Sequence, residues 1–397
     1  MKIAVIGAGE CYENYYLPVH QVLSEEGIAQ ITAVVDVKEE TGIKIPNGAT
    51  YIRRAEPNTP LNFLLAEMGI DVVCLAHPNS FHVKDAESAI GIAKVIMEKP
   101  YAISHRDVPI VQEMVVSGRL SLSEYYLFGK TVPLHILSGL IPSDSFYFDK
   151  LGLLTGDSDE LKKNAGRLPD IIGNIRSIHT EVLEGEGTSG HVLNRTHELT
   201  TAESGGGMIF DLGIHALSPV TALNYIIGPL TLNSVDVAVC EEHTSHFLNL
   251  GYRQGDIAET YAVANFSAGK IPVTFSVGKY ILGGPDKGRS QRRLHILGSK
   301  GRIDFDMSRG EMAVYEGDSV RPKFVVGVNR VDFPRYYPVI RGAIDALDGK
   351  YPELTQAALV AHELVLDSVK RVRDKYGSMK VYKWGAEIDD IHTLLGI

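Results

Sequence analysis

Two residues in the stretch Ser204 to His215, S-G-G-G-M-I-F-D-L-G-I-H, are of types that move protons: Asp211 and His215. They are four apart, so on a helix they project from one face about a turn from each other. There a carboxylate can orient or polarise an imidazole, or both can contact one substrate, and an imidazole titrates close to neutrality. The competing reading is a buried pair that satisfies its own hydrogen bonding in a helix interface. The glycines ahead of the pair leave backbone amides open to a closely approaching group, with Ser204 as N-cap. Pro219 cannot donate to the carbonyl of His215, so the helix is expected to kink or end there.

A second set of candidates lies in the first third of the chain. Gly7-Ala8-Gly9 follows an apolar run, Lys2 to Ile6, and precedes a helical stretch, Asn14 to Glu26. In a dinucleotide fold the first glycine permits the turn and the second lets backbone approach a pyrophosphate at the helix N-terminus. The third position of that pattern is Tyr12 in place of glycine or alanine, and an ordinary strand-to-helix turn is the alternative. Asp36 ends the next strand, Ile31 to Val35, where an acid bonds ribose hydroxyls and repels a 2'-phosphate, which points to NAD over NADP. Its local alternative is to cap the following turn. His77-Pro78-Asn79-Ser80-Phe81-His82 and Glu98-Lys99-Pro100 stand at two further strand ends, where open α/β sheets bind ligands.

The elements that must position these groups follow from periodicity. Short apolar runs alternate with amphipathic stretches: helices over Leu61 to Met68, His82 to Gly91 and Asp107 to Ser117, strands over Val72 to Ala76, Ala93 to Met97 and Ser121 to Phe128. Residues 131–167 read as loops with short helices. Longer β-rich runs follow at Ile175 to Val182, Leu232 to Val239, Thr260 to Phe266, Ile271 to Gly278 and Arg293 to Ile296, with helices at Met208 to Ile227 and Pro352 to Arg373. The expected fold class is α/β: a Rossmann-type doubly wound parallel sheet over 1–123, then an α+β domain over 124–397 with a large, mainly antiparallel sheet.

Composition bounds the function. A chain of 397 residues is long enough for two domains, and its net charge of -10 argues against nucleic acid or an anionic membrane as partner. Cys11, Cys74 and Cys240 are widely separated and lack metal-type spacing. Cys240-Glu241-Glu242-His243 has no matching second half and reads as a solvated strand end, so no metal is expected. The opening apolar run is too short for a signal peptide and none is long enough to span a bilayer, so a cytoplasmic protein is expected.

Four motifs in order, Gly7-Ala8-Gly9, Pro78-Asn79-Ser80-Phe81-His82, Glu98-Lys99-Pro100 and Gly206 to His215, resemble those of the glucose-fructose oxidoreductase and inositol 2-dehydrogenase family, Gfo/Idh/MocA. Weaker similarities continue through Gly173-Asn174-Ile175, Asp256 to Phe266, Leu294 to Gly301 and Gly342. The resemblance implies hydride transfer between nicotinamide and a secondary alcohol or ketone of a sugar, cyclitol or related polyol. It implies Lys99, Asp211 and His215 as the catalytic group, with His215 the favoured acid/base. Around NAD it implies Gly7, Gly9, Glu10, Asp36, Pro78, Asn79, His82, Glu98 and Lys99. Lys99, Asp211 and His215, with Tyr126, Arg195 and His197, are the candidate substrate contacts; Glu198 and Lys130 lie beside them. It also implies a homodimer or homotetramer through the second sheet. Tyr12, His77 where many members have threonine, Ser218 where many have aspartate, and a long 129–172 segment depart from the family pattern. Two other readings stand beside this one: an enzyme that uses tightly held NAD transiently, as redox-assisted glycosidases or epimerases do, and a non-catalytic regulator that binds cofactor or metabolite.

Overall fold

The computed structural model describes residues 1–150, 152–185, 207–279, 291–329, 333–375 and 379–397. They form two compact units. The first comprises Met1–Val132, Asp144–Leu154 and Val328–Leu359; the second comprises Pro133–Ser143, Thr155–Gly327 and Val360–Ile397. This grouping differs from a linear division at 123/124 because the chain returns: the helix Tyr337–Leu347 packs on β6 and on the turn that follows it.

In the first unit the strands are β1 (Lys2–Ile6), β2 (Gln30–Asp36), β3 (Thr50–Arg53), β4 (Val72–Leu75), β5 (Lys94–Glu98) and β6 (Leu120–Ser123). They run in the order β3-β2-β1-β4-β5-β6, all parallel. The helices Leu17–Glu25, Leu61–Leu65, His82–Ile90 and Val108–Val116 lie between them in sequence, as parallel pairing demands crossovers. Ile3 to Ile6 and all of β4 are buried, as befits strands covered on both faces. The strand order reverses between β1 and β4, and that switch point is where such sheets take their ligands.

The expected strand over Ser121 to Phe128 is shorter than its apolar content implies. β6 stops at Ser123, and Glu124 Oε2 accepts the amides of Tyr126 and Leu127, both at 2.7 Å, which turns the chain into the wide helical turn Tyr126–Lys130. Likewise the helix expected from Asn14 begins with a wide turn, Tyr12–Tyr16, before Leu17–Glu25. β3 was not foreseen: Thr50–Arg53 is only four residues long and lies at the sheet edge.

The second unit is built on a ten-stranded sheet. Its strands are β7 (Leu154–Gly156), β8 (Ile175–Glu184), β9 (Thr231–Cys240), β10 (Tyr261–Ala268), β11 (Ile271–Lys279), β12 (Gln291–Gly298), β13 (Gly301–Asp306), β14 (Glu311–Glu316), β15 (Phe324–Val328) and β16 (Lys380–Tyr382). The order is β16-β9-β10-β11-β8-β12-β13-β14-β15-β7; β8 with β11 and β9 with β16 pair parallel, and the pairings through β9-β10-β11 and β8-β12-β13-β14-β15 are antiparallel. Alternation does the sorting: in β13, Ile303 and Phe305 are buried while Arg302, Asp304 and Asp306 are partly exposed. The helix Met208–Thr221 packs on β8, β10 and β11, and the later part of Pro352–Asp374 lies behind it, with Val365 against Gly213.

Candidate active site

In the first unit the turn after β1 is built on glycine. Gly7 has φ +97, and a Cβ there would lie 2.8 Å from the Ala76 carbonyl oxygen, so the turn after β1 presses on the end of β4 and only glycine fits. At Gly9 a Cβ would meet nothing within 4 Å, and the Gly9 carbonyl accepts the Glu13 amide at 3.1 Å, so helix begins there with open space on its first residue. A tight first glycine and an open second one at a helix start are what a pyrophosphate requires. Glu10 is exposed in that first turn. The ring of Tyr12 is wholly buried and its hydroxyl donates to the Lys44 carbonyl at 2.6 Å, so the departure from glycine is absorbed in the interior.

Asp36 holds this turn in place. Its Oδ2 accepts the Ala8 amide at 2.6 Å and its Oδ1 accepts the Lys38 amide at 2.9 Å. The local capping role is therefore present, and each carboxylate oxygen retains a second lone pair for a further donor. Glu39 and Glu40 follow it, and Arg53 is paired with Glu39 at 2.5 Å.

At the end of β4, Pro78 and Asn79 lead into the helix His82–Ile90. The two histidines here contact groups of the same unit. His82 is buried with Nδ1 2.9 Å from the Pro100 carbonyl and Nε2 2.9 Å from the His77 carbonyl; burial and the adjacent His77 push it down to about 4. His77 Nε2 lies 2.7 Å from Asp85, which also takes a two-pronged contact from Arg54 at 2.5 and 2.8 Å. Burial opposes ionisation of Asp85, but the hydrogen bonds from Arg54 and His77 outweigh it and hold the carboxyl below its ordinary range.

β5 ends on Glu98 and delivers Lys99, half-buried, ahead of a cis Lys99–Pro100 bond. Glu98 is buried and accepts the Tyr16 hydroxyl at 3.2 Å. Burial pushes its carboxyl up to about 7 against the opposing pull of Ser123, Lys99 and Tyr16. The charges of Glu98, Lys99 and Glu10 all act on the Cys11 thiol, which burial pushes up, so the β5 end and the first helical turn share one neighbourhood. Tyr126 and Lys130 are buried, with the Lys130 ammonium 5.6 Å from the Tyr125 ring centre.

In the second unit, Asp211 and His215 lie on Met208–Thr221. Every residue of that helix is buried except His215. Asp211 Oδ2 accepts the Lys279 ammonium at 2.7 Å, Lys279 lies 3.2 Å from Glu184, and Glu184 lies 2.6 Å from Arg292. Glu184 stays below its ordinary range because Lys279 and Arg292 outweigh the penalty of burial. The helix runs through Pro219 to Thr221, so the expected end at the proline does not occur; a separate short helix, Asn224–Ile227, follows.

The group that approaches the glycine start belongs to the protein. Glu259 Oε1 accepts the Ile209 amide at 2.9 Å and its carbonyl accepts the Met208 amide at 3.2 Å. Arg195, His197, Glu198 and Ser204 lie outside the described residues. The Cys240 to His243 segment is not a solvated strand end: β9 stops at Cys240, a helix Glu241–Asn249 begins, and His243 is buried with its ring 4.9 Å from that of Phe247. Among the described residues no group of three or more His, Cys, Asp or Glu could hold a metal ion.

Lys279, Glu184 and Glu259 were not anticipated. A signal for Lys279 exists in the alternation Val273, Phe275, Val277, Lys279, which puts a lysine on the buried face of β11, where a charge needs a partner. Glu259 carries no such mark, because its partners are amides.

A parallel sheet of this order, with a glycine turn at its switch point, is a Rossmann-type fold. The model of the Gfo/Idh/MocA family, described as an oxidoreductase family with an NAD-binding Rossmann fold, matches residues 1–126 of the chain. No curated protein matches the chain in sequence. Solved structures share the fold along nearly the whole chain. The 3-ketoreductase KijD10 from Actinomadura kijaniata, in complex with NADP and TDP-benzene, is 15% identical with a TM-score of 0.60, covering 96% of this chain and 99% of its own. The UDP-N-acetylglucosamine 3-dehydrogenase GnnA from Acidithiobacillus ferrooxidans is 15% identical at TM-score 0.60, covering 95% and 99%. An oxidoreductase from Agrobacterium radiobacter in complex with NAD+, L-tartaric acid and magnesium is 16% identical at 0.61, covering 94% and 97%.

Proposed function

We propose that this protein is an NAD-dependent oxidoreductase that passes hydride between nicotinamide and a secondary alcohol or ketone of a sugar, cyclitol or related polyol. The observation that carries the reading is the match of the family model to the Rossmann unit; in the second unit, a helix buries every residue but His215. Two of the structures similar in fold are named for chemistry at a ketone or carbinol, one of them on a nucleotide-linked sugar.

When bound, the nicotinamide supplies the hydride chemistry; the protein supplies position, charge and the proton path. Gly7, Gly9 and the first helical turn with Glu10 hold the pyrophosphate. Asp36 holds the ribose hydroxyls, and with Glu39 and Glu40 following it and Arg53 already neutralised, this edge disfavours a 2'-phosphate. Pro78, Asn79, Glu98 and Lys99 line the nicotinamide side. His215 takes the hydroxyl proton in oxidation and returns it in reduction, Lys99 favours the developing oxygen charge, and Asp211 orients the imidazole.

The outward face of the second sheet carries His179, Glu181, Arg293, His295 and Asp304, with His295 3.0 Å from Asp304. This is the surface proposed for a homodimer or homotetramer. No helix among the described residues is long and apolar enough to cross a membrane, and the free thiols of Cys11, Cys74 and Cys240 fit a reducing, cytoplasmic setting.

The test is nucleotide binding followed by NADH formation across a panel of sugars, cyclitols and nucleotide-linked sugars. Binding of NADH with reduction by a member of the panel supports the proposal. Absence of NADH and NADPH binding refutes it.

A further inference from the structure

Lys279 closes a chain of four charges, of which Lys279 and Asp211 are buried and Glu184 and Arg292 partly exposed: Arg292 to Glu184 at 2.6 Å, Glu184 to Lys279 at 3.2 Å, and Lys279 to Asp211 at 2.7 Å. Two cations and two anions make the set neutral. Its members are not equivalent. Without Lys279, Glu184 keeps the Arg292 guanidinium, whereas Asp211 loses the ammonium that donates to its Oδ2. The lysine reaches this point because β11 and β8 run parallel with Lys279 opposite Glu184, while its side chain follows Val273, Phe275 and Val277 on the covered face.

Stability alone is a poor reason for such a lysine. Desolvating a charge costs several kcal/mol, and an apolar replacement of a whole buried pair is often neutral or better. What the pair does possess is an address: Asp211 lies one helical turn below His215, the one residue of the helix that is not buried. Among the described residues, further titratable groups around this helix include Glu259 at its start, hydrogen-bonded to Ile209, and His362, whose ring lies 6.2 Å from that of Phe210.

We infer that Lys279 is a positioning residue: it holds Asp211 in place as an ionised but charge-compensated acceptor, so that His215 works above a neutral ion pair. The use of His215 as the proton acceptor rests on the oxidoreductase reading; the coupling of Lys279 through Asp211 to His215 does not.

Histidine-selective carbon-13 NMR on the whole protein tests the coupling without a substrate, with His215→Gln identifying the resonance. Asp211→Asn leaves the four-member set with one net positive charge and lowers the His215 titration midpoint by about 0.5–1 pH unit. Adding Lys279→Met to Asp211→Asn removes that charge and returns the midpoint towards the starting value, and Lys279→Arg alone leaves it in place. A midpoint that is the same in Asp211→Asn as in the unaltered protein overturns the inference. So does a fall that Lys279→Met fails to reverse. Should the double variant not fold, Asp211→Gln with Lys279→Gln repeats the comparison with polar isosteres. Titrations that behave as stated in a protein that turns over no alcohol or ketone would uphold the positioning role and refute the oxidoreductase reading.

Discussion

The Glu259 carboxylate fills the volume that a side chain on Gly207 would need: a Cβ there would lie 2.4 Å from Oε1. Gly207 has φ +118, outside the range that L side chains adopt readily. The glycine at the head of the helix therefore serves an internal cap, and the helix that carries Asp211 and His215 is anchored before any substrate arrives. Gly207→Ala meets both the clash and the strain, and should lower stability by at least about 2 kcal/mol in denaturant titration. A change within error would mean that the acid is free to move aside.

Burial pushes Glu259 up to about 7, above the usual carboxylate value, against its hydrogen bond from Ile209. Because the folded value exceeds the unfolded one, the stability tied to this proton is fully present below pH 4.5 and is lost as pH rises through about 7. The stability of the native protein relative to Glu259→Gln should fall by roughly 3 kcal/mol across that window. Matched unfolding curves at the two ends check it, and a constant difference would contradict it.

Arg54 and Asp85 form a buried ion pair beneath the end of β4, with His77 Nε2 2.7 Å from the carboxylate. Arg54→Met leaves the Asp85 carboxylate without its two-pronged donor, and loss of one partner of a buried pair costs about 3–5 kcal/mol. Thermal unfolding should show this at pH 7, with a smaller effect in Arg54→Met/Asp85→Leu, where no charge is stranded.

Cofactor choice should follow Asp36. Asp36→Ser removes the charge that opposes a 2'-phosphate and also loosens the Ala8 and Lys38 amides. The ratio of kcat/KM for NADPH to that for NADH should rise about tenfold or more, chiefly through weaker use of NADH. An unchanged ratio would place discrimination elsewhere on the edge.

Local pattern and tertiary need divide what was legible in the sequence. β1, the crossover helices and the Gly7 turn are readable because burial on both faces imposes long apolar runs and because the turn needs a glycine. β6 is misread beyond Ser123, since the signal that ends it is the Glu124 side chain folding back on two amides. Asp211 and His215 are readable by their spacing, but their surroundings are not. Lys279 stands 68 positions beyond Asp211 and Glu259 stands 50 beyond Ile209, so nothing local announces either contact. His82, which the family resemblance puts beside the cofactor, has its ring nitrogens 2.9 Å from two backbone carbonyls, contacts that its residue type does not announce.

The central claim is hydride transfer with His215 moving the proton. Incubation of the protein with NAD and polyols deuterated at the carbinol carbon, followed by mass spectrometry of the nicotinamide, tests it most directly. The account predicts deuterated NADH from at least one class of polyol or nucleotide-linked sugar, with the rate falling about 10²- to 10⁴-fold in His215→Ala. Unlabelled nicotinamide with every substrate, or undiminished transfer in His215→Ala, would contradict it.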